Sequence, residues 1–256
     1  MKRSTIGWIF AAVLAVGGAA FAYLFWFAGG SGEPSTELTT PELAATTTTA
    51  DVDTETTEAN AGTTDGATGT TQAASAAQAF VIDQGQSIAQ FELDEVLSGT
   101  PTHVTGTTDQ VVGQVRVDPA DLSTAEFSDV IINARTFTTG REQRDRAIRG
   151  PIILDSGSDA NELITFTPTS VDGLSGAVEV GDTVEFTVTG DFTIKGITQT
   201  VTFDSSVTYV DAGTIEGTAT TEVTRDMFEI GIPSVPSVAD VTNEVLLTLS
   251  FVAVAG

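Results

Sequence analysis

Four arginines crowd into one short stretch, Arg141, Arg144, Arg146 and Arg149, and they are half of the eight basic residues from Ala79 onward. A guanidinium presents a rigid fork of donors that matches a carboxylate or a phosphate. Such a cluster could therefore clamp an anionic head group. The acids between the arginines argue for a plainer role. Arg141–Asp145, Glu142–Arg146 and Asp145–Arg149 have the i,i+4 spacing at which opposite charges meet on a helix surface. Thr139 and Glu142 have capping-box spacing, and Gly150-Pro151 would end the helix. The expectation is a short, charged helix that neutralises itself in solvent. Arg144 is the exception, because Gly140 and Ile148 occupy its i−4 and i+4 positions. It is expected to reach off the helix, to an acid, a backbone carbonyl or a ligand head group.

Other chemistry is sparse. The chain has no Cys and one His, which leaves no disulfide, thiolate zinc site or Cys nucleophile. His103 lies in Gly99-Thr100-Pro101-Thr102-His103-Val104-Thr105-Gly106, whose Gly and Pro residues predict a turn or loop. Asp155-Ser156-Gly157-Ser158-Asp159-Ala160-Asn161-Glu162 is acidic, but it lacks the spacing of a calcium-binding loop and reads as a surface loop. No phosphate-binding glycine loop or nucleophile elbow is present. The expectation is a protein without catalytic residues, metal or cofactor.

The formal charge is −25. From Ala79 onward eight basic residues face 27 acidic ones, so −19 belongs to that part. Such a surface repels nucleic acid and anionic lipid head groups.

The chain divides into three parts. Residues 6–28 run without a charge, include Trp8, Tyr23 and Trp26, and follow Lys2 and Arg3. A spanning helix needs roughly 20 apolar residues, and flanking positive charge stays cytoplasmic. Residues 1–30 are therefore expected to be a single-pass anchor. A cleaved signal peptide is the alternative, with Ala20-Phe21-Ala22 as the small-x-small cleavage pattern. Either way the remainder leaves the cytoplasm. Residues 31–78 are rich in Thr, Ala, Gly and Glu and cannot bury enough surface to offset ordering. They are expected to be a disordered linker.

Residues 79–256 read as strands. Val184, Phe186, Val188, Phe192 and Ile194 alternate with polar residues, with Gly190 in phase. Ile197, Val201, Phe203, Val207 and Tyr209 continue the pattern, broken at Gln199 and Ser205. Leu247, Leu249 and Phe251 alternate with Thr248 and Ser250. Period two in β-branched and aromatic residues is the strand signature. Many antiparallel strands in one unit give a sandwich or a barrel.

Particular motifs narrow this further. Phe80-Val81-Ile82-Asp83 opens the domain, and Val111-Val112-Gly113-Gln114-Val115-Arg116-Val117-Asp118-Pro119 follows as a strand and turn. Gly140, Arg144 and Asp145 form a Gly-x-x-x-Arg-Asp pattern. Gly190-Asp191-Phe192-Thr193-Ile194-Lys195-Gly196-Ile197-Thr198 is a second specific run, and Thr224-Arg225-Asp226-Met227-Phe228 precedes the ending. Together these resemble the YceI-like family over roughly residues 80–255. The sequence departs from that pattern where Lys195 and Ala147 stand in place of histidines, and at residues 97–109, which look like an insertion.

The resemblance implies an all-β, antiparallel, lipocalin-like β-barrel of about eight strands with one short helix. It also implies an apolar interior suited to an isoprenoid or similar long-chain lipid. Phe91, Leu93, Phe166, Phe186, Val188, Phe192, Phe203, Leu247, Leu249 and Phe251 are the candidate lining residues. The functional expectation is a membrane-anchored, extracytoplasmic lipid-binding protein. A solidly packed interaction or adhesion module is the alternative.

Overall fold

The computed structural model describes residues 34, 37–43 and 77–256. The expected anchor lies outside the described residues, as does most of the expected linker. Among the described residues no helix is long and apolar enough to cross a membrane. Within residues 37–43 of the expected linker, the Pro41 carbonyl accepts from the Gln114 side-chain amide.

The strands are β1 (Gln78–Ile82), β2 (Ile88–Leu97), β3 (Thr100–Thr108), β4 (Val111–Val112), β5 (Gln114–Val117), β6 (Glu126–Phe127), β7 (Val130–Asn133), β8 (Leu163–Asp172), β9 (Thr183–Ile194), β10 (Ile197–Asp211), β11 (Thr214–Thr224), β12 (Val238–Ala239) and β13 (Glu244–Ala255). The α-helix α1 (Glu142–Arg149) lies between β7 and β8. All strand pairings are antiparallel. The main path runs β4-β7-β8-β9-β10-β11-β13-β1-β5-β6, with β2 joining β13 to β3 and β12. At one end of this path β4 bonds to β7, and at the other β5 bonds to β6. Only Gly113 separates β4 from β5, and only Ser128 and Asp129 separate β6 from β7. The curled sheet therefore returns on the same two chain segments.

The inner face holds the core. One cluster gathers Phe166, Val188, Phe192, Ile194, Val201 and Phe228 with Ile148 of α1. A second gathers Phe80, Ile215 and Ala253. The outer face carries threonines that pair across β9 and β10: Thr183–Thr208, Thr189–Thr202 and Thr193–Thr198 each have hydroxyl oxygens 2.8 Å apart. The alternation of apolar and Thr residues thus sets which face is buried.

Three local expectations are corrected. The segment around His103 is a strand, β3, hairpinned to β2. Ser98 and Gly99 take φ of 51° and 82°, the left-handed pair that a two-residue hairpin turn requires. Pro101 is tolerated because β3 is an edge strand, and Gly106 faces Phe91 on β2. The capping box does not form, because α1 starts at Glu142 with Arg141 as its N-cap. Instead Asp145 turns back, accepting from the Thr139 N–H (2.8 Å) and from the Thr139 and Thr138 hydroxyls (2.6 and 2.9 Å). This diverts Asp145 from both of its expected arginine partners. The Glu142–Arg146 pair does form, at 3.1 Å, while Arg149 donates to the Phe137 carbonyl at 2.7 Å.

The acidic segment 155–162 is also tied inward rather than being only a surface loop. Buried Arg135 pairs with Glu162 (2.9 Å) and Asp159 (2.7 Å). It also donates to the carbonyls of Ser156 (2.5 Å) and Gly157 (3.1 Å). Asn133 donates to Glu162 at 3.0 Å.

His103 is exposed on the β2–β3 hairpin with its Nδ1 2.8 Å from Asp94 Oδ1. The Asp94 hydrogen bond raises its pKa above the ordinary 6.5, and the charges of Asp94 and Glu92 add to this. A raised folded-state pKa contributes stability below the unfolded pKa, and that stability is lost as pH rises through the folded value. With one histidine in the chain, an NMR titration of its ring protons should give a midpoint above 6.5. Asp94→Asn should bring the midpoint down; an unchanged midpoint would show that Asp94 is not the cause.

Candidate functional site

The curled sheet encloses a cavity of about 670 Å³. The in-phase residues of each strand build its wall. β2 supplies Phe91 and Leu93, β8 supplies Phe166, and β9 supplies Phe186, Val188 and Phe192. β10 supplies Phe203, and β13 supplies Leu247, Leu249 and Phe251. All ten candidate lining residues thus stand on this wall. Period two decides this, since every second side chain of a strand points to the same face.

Glycines on neighbouring strands keep the space open. A Cβ on Gly106 would lie 2.1 Å from Phe91 Cε1, and one on Gly190 would lie 2.7 Å from Phe166 Cζ. Each ring therefore sits in the room a missing side chain leaves and is set back into the wall. Phe166, Phe192 and Phe203 meet edge to face with centroids 5.0–6.3 Å apart, and Phe228 joins Phe192 at 5.7 Å. Such edge-to-face contacts are favourable beyond the area they bury.

One break in the strand pattern opens onto the cavity and the other anchors a turn beside it. Ser205 lies on the cavity wall. Gln199 donates to the Met227 carbonyl at 2.9 Å and so holds the turn Arg225–Phe228. Neither residue continues the apolar alternation, and each has a positional reason.

Helix α1 and the segment 230–243 line the cavity near Glu95. Arg144 leaves its helix and pairs with Glu95 of β2, and both side chains are largely buried. Arg225 holds the other segment through three carbonyls: Thr242 at 2.7 Å, Ile230 at 3.1 Å and Val241 at 3.2 Å. Ile230, Ile232, Pro233, Val235 and Val241 bring further apolar lining that strand periodicity did not reveal. That segment carries two prolines and little regular structure, so no period marks which of its residues point inward. The nearest signal in the sequence is Arg225, within the Thr224–Phe228 motif.

The polar groups near the cavity are mostly committed to the protein. Arg144 is paired with Glu95 and Glu142 with Arg146, while the Arg225 donors are taken up by carbonyls. Among the described residues no group of three or more His, Asp or Glu is arranged to hold a metal ion. What the arrangement offers is a largely apolar cavity with a few polar groups on its wall, the usual form of a small-molecule site.

Comparison with known proteins gives a consistent likeness. The model of the family described as "YceI-like domain" matches residues 80–253. A UPF0312 protein of Staphylococcus aureus (strain MSSA476) is 30% identical over 144 residues, spanning 56% of this chain and 74% of that protein. A polyisoprenoid binding domain from Saccharophagus degradans, described as implicated in plant cell wall breakdown, has a similar solved structure. Its TM-score is 0.55 at 13% identity, covering 70% of this chain and 99% of that one. BcnA of Burkholderia cenocepacia gives a TM-score of 0.50 at 21% identity, covering 67% and 98%. At these identities the two structures speak to the fold alone.

Proposed function

The chain belongs to the YceI-like domain family, and from that premise we propose that it is a binding protein that holds an isoprenoid or similar long-chain amphiphilic lipid. The observation that carries this reading is the cavity of about 670 Å³ with its aromatic and aliphatic wall. Its size falls within the ~300–1,000 Å³ of small-molecule sites. In this reading the curled sheet works as a barrel of about eight staves, wide enough to hold one ligand. A solidly packed interaction module is the second reading, and the open lumen argues against it. The fold shared with the Saccharophagus degradans domain, which is itself named for polyisoprenoid binding, is compatible with this reading.

The reading extends to location. Residues 6–28 would anchor the chain with the domain outside the cytoplasm, on the side opposite Lys2 and Arg3. A leash to the bilayer would raise the concentration of the domain where long-chain lipids reside.

The test is a solvent extraction of the purified full chain followed by mass spectrometry. The stripped protein is then titrated with a fluorescent long-chain prenol. The expected result is a co-purifying long-chain lipid and saturable binding. Ala219 stands on the cavity wall between Ser205 and Leu249, so Ala219→Trp should fill the lumen. It should weaken binding by tenfold or more, about 1.4 kcal/mol, while the melt stays cooperative. A clean extract together with no prenol binding would overturn the reading and leave the interaction module.

A further inference from the structure

A second, smaller cavity of about 90 Å³ lies in the same barrel. Six residues line both spaces: Phe80, Val115, Phe127, Phe186, Val207 and Phe251. They come from six strands, β1, β5, β6, β9, β10 and β13, and their registers set them side by side. Val115 faces Phe80 on one side and Phe127 on the other. Gly217 faces both Val207 and Phe251, and a Cβ there would lie 2.9 Å from Val207 Cγ2. The six side chains form a septum across the interior. Beyond it the small chamber is closed by two loops stitched together. The Leu122 N–H donates to the Gly176 carbonyl and the Val178 N–H to the Pro119 carbonyl, each at 2.8 Å.

We propose that this septum is a chain-length ruler: the tail of the bound lipid stops at Phe127 and Phe186, and the chamber behind them is a subsite reserved for a longer chain. The proposal rests on the lipid-binding reading and adds which residues select the ligand. The geometry singles out two residues of the partition. Phe80 is fully buried and held edge-on by Tyr209, with centroids 6.4 Å apart. Phe127 and Phe186 are only partly buried and meet at a tilted 47°, 6.0 Å apart. They meet within the septum, and they are the rings whose removal would join the two spaces. The chamber beyond is walled by Val117, Leu122, Leu174, Val178, Val184 and Ile215, an apolar lining that suits the hydrocarbon end of a chain and not its polar head.

The experiment titrates the stripped full chain with primary alcohols of stepwise increasing length, and with prenols from farnesol upward. Each buried methylene should raise affinity about fourfold until the chain meets the septum, where the rise should stop. In Phe186→Ala the plateau should move at least one step along the series. Phe127→Ala should do the same, and it serves if the first variant fails to fold. Adding Val184→Phe to Phe186→Ala should refill the chamber and bring the plateau back. An unchanged plateau in both folded single variants would overturn the ruler and leave lipid binding intact. So would a wild-type affinity that climbs through the whole series. Absence of binding by every alcohol to the wild-type protein would overturn both readings.

Discussion

Arg135→Ala should lower the melting temperature by roughly 10 °C. The Arg135 side chain is 8% exposed and its partner Glu162 is 1% exposed. Removing one member of a buried ion pair costs about 3–5 kcal/mol, because the other charge stays behind without its counter-charge. For a domain of this size each kcal/mol shifts the melt by about 2–4 °C. The guanidinium also satisfies two carbonyls, those of Ser156 and Gly157, which the truncation would leave exposed to the loss. Asp159 is the internal control. It touches the same guanidinium at 2.7 Å, but its side chain is 88% exposed. Asp159→Ala should cost only a few tenths of a kcal/mol, as exposed pairs do. Thermal melts followed by circular dichroism decide the matter; equal losses for the two variants would show that burial of the Arg135–Glu162 pair is not what counts.

Arg144→Ala should be the most destabilising of the four alanine substitutions in and beside α1. Its partner Glu95 is 8% exposed, so truncation leaves a nearly buried carboxylate without its charge-assisted bond, at about 2 kcal/mol or more. Arg146 pairs with a Glu142 that is 87% exposed and should cost a few tenths. Arg149 gives up one bond to a backbone carbonyl and should fall between them, at about 1 kcal/mol. Arg141 has the smallest expected loss. A double-mutant cycle of Arg144→Ala with Glu95→Ala should return a coupling of 1 kcal/mol or more. Small and equal effects at all four positions, or no coupling, would refute the role given to this pair.

The strands and the cavity wall were legible because one rule governs both. A half-buried strand alternates, so Phe186, Val188 and Phe192 announced a strand and named its inner face at once. The singular position of Arg144 was legible too, since helix spacing gave it no acid of its own. Other features depend on contacts between residues distant in sequence, which no local period records. Asn133, Arg135 and Glu162 come together only because β7 lies beside β8. Asp145 has the spacing of a helix-surface acid, yet it reaches back to Thr138 and Thr139. In β3 the punctuation misled, because Gly106 and Pro101 look like loop residues. On an edge strand, opposite a large ring, they suit a hairpin. The segment 230–243 follows no period at all, and its lining residues are visible only once Arg225 is seen to hold it in place.

The position of β13 sets an order of events. It bonds to β11 along one edge and to both β1 and β2 along the other. The last strand in sequence order therefore lies between one of its near neighbours in the chain and the two earliest strands. Until it docks, β11, β1 and β2 each keep an open edge, and the apolar inner face has no enclosure. Pairing across so long a separation is slow, and open edges invite pairing with other chains. The ring cannot close strand by strand in chain order, since its seam needs β13 between β11 and the two strands β1 and β2. A lumen that exists only once β13 has docked is one that a ligand enters after that closure, not before it.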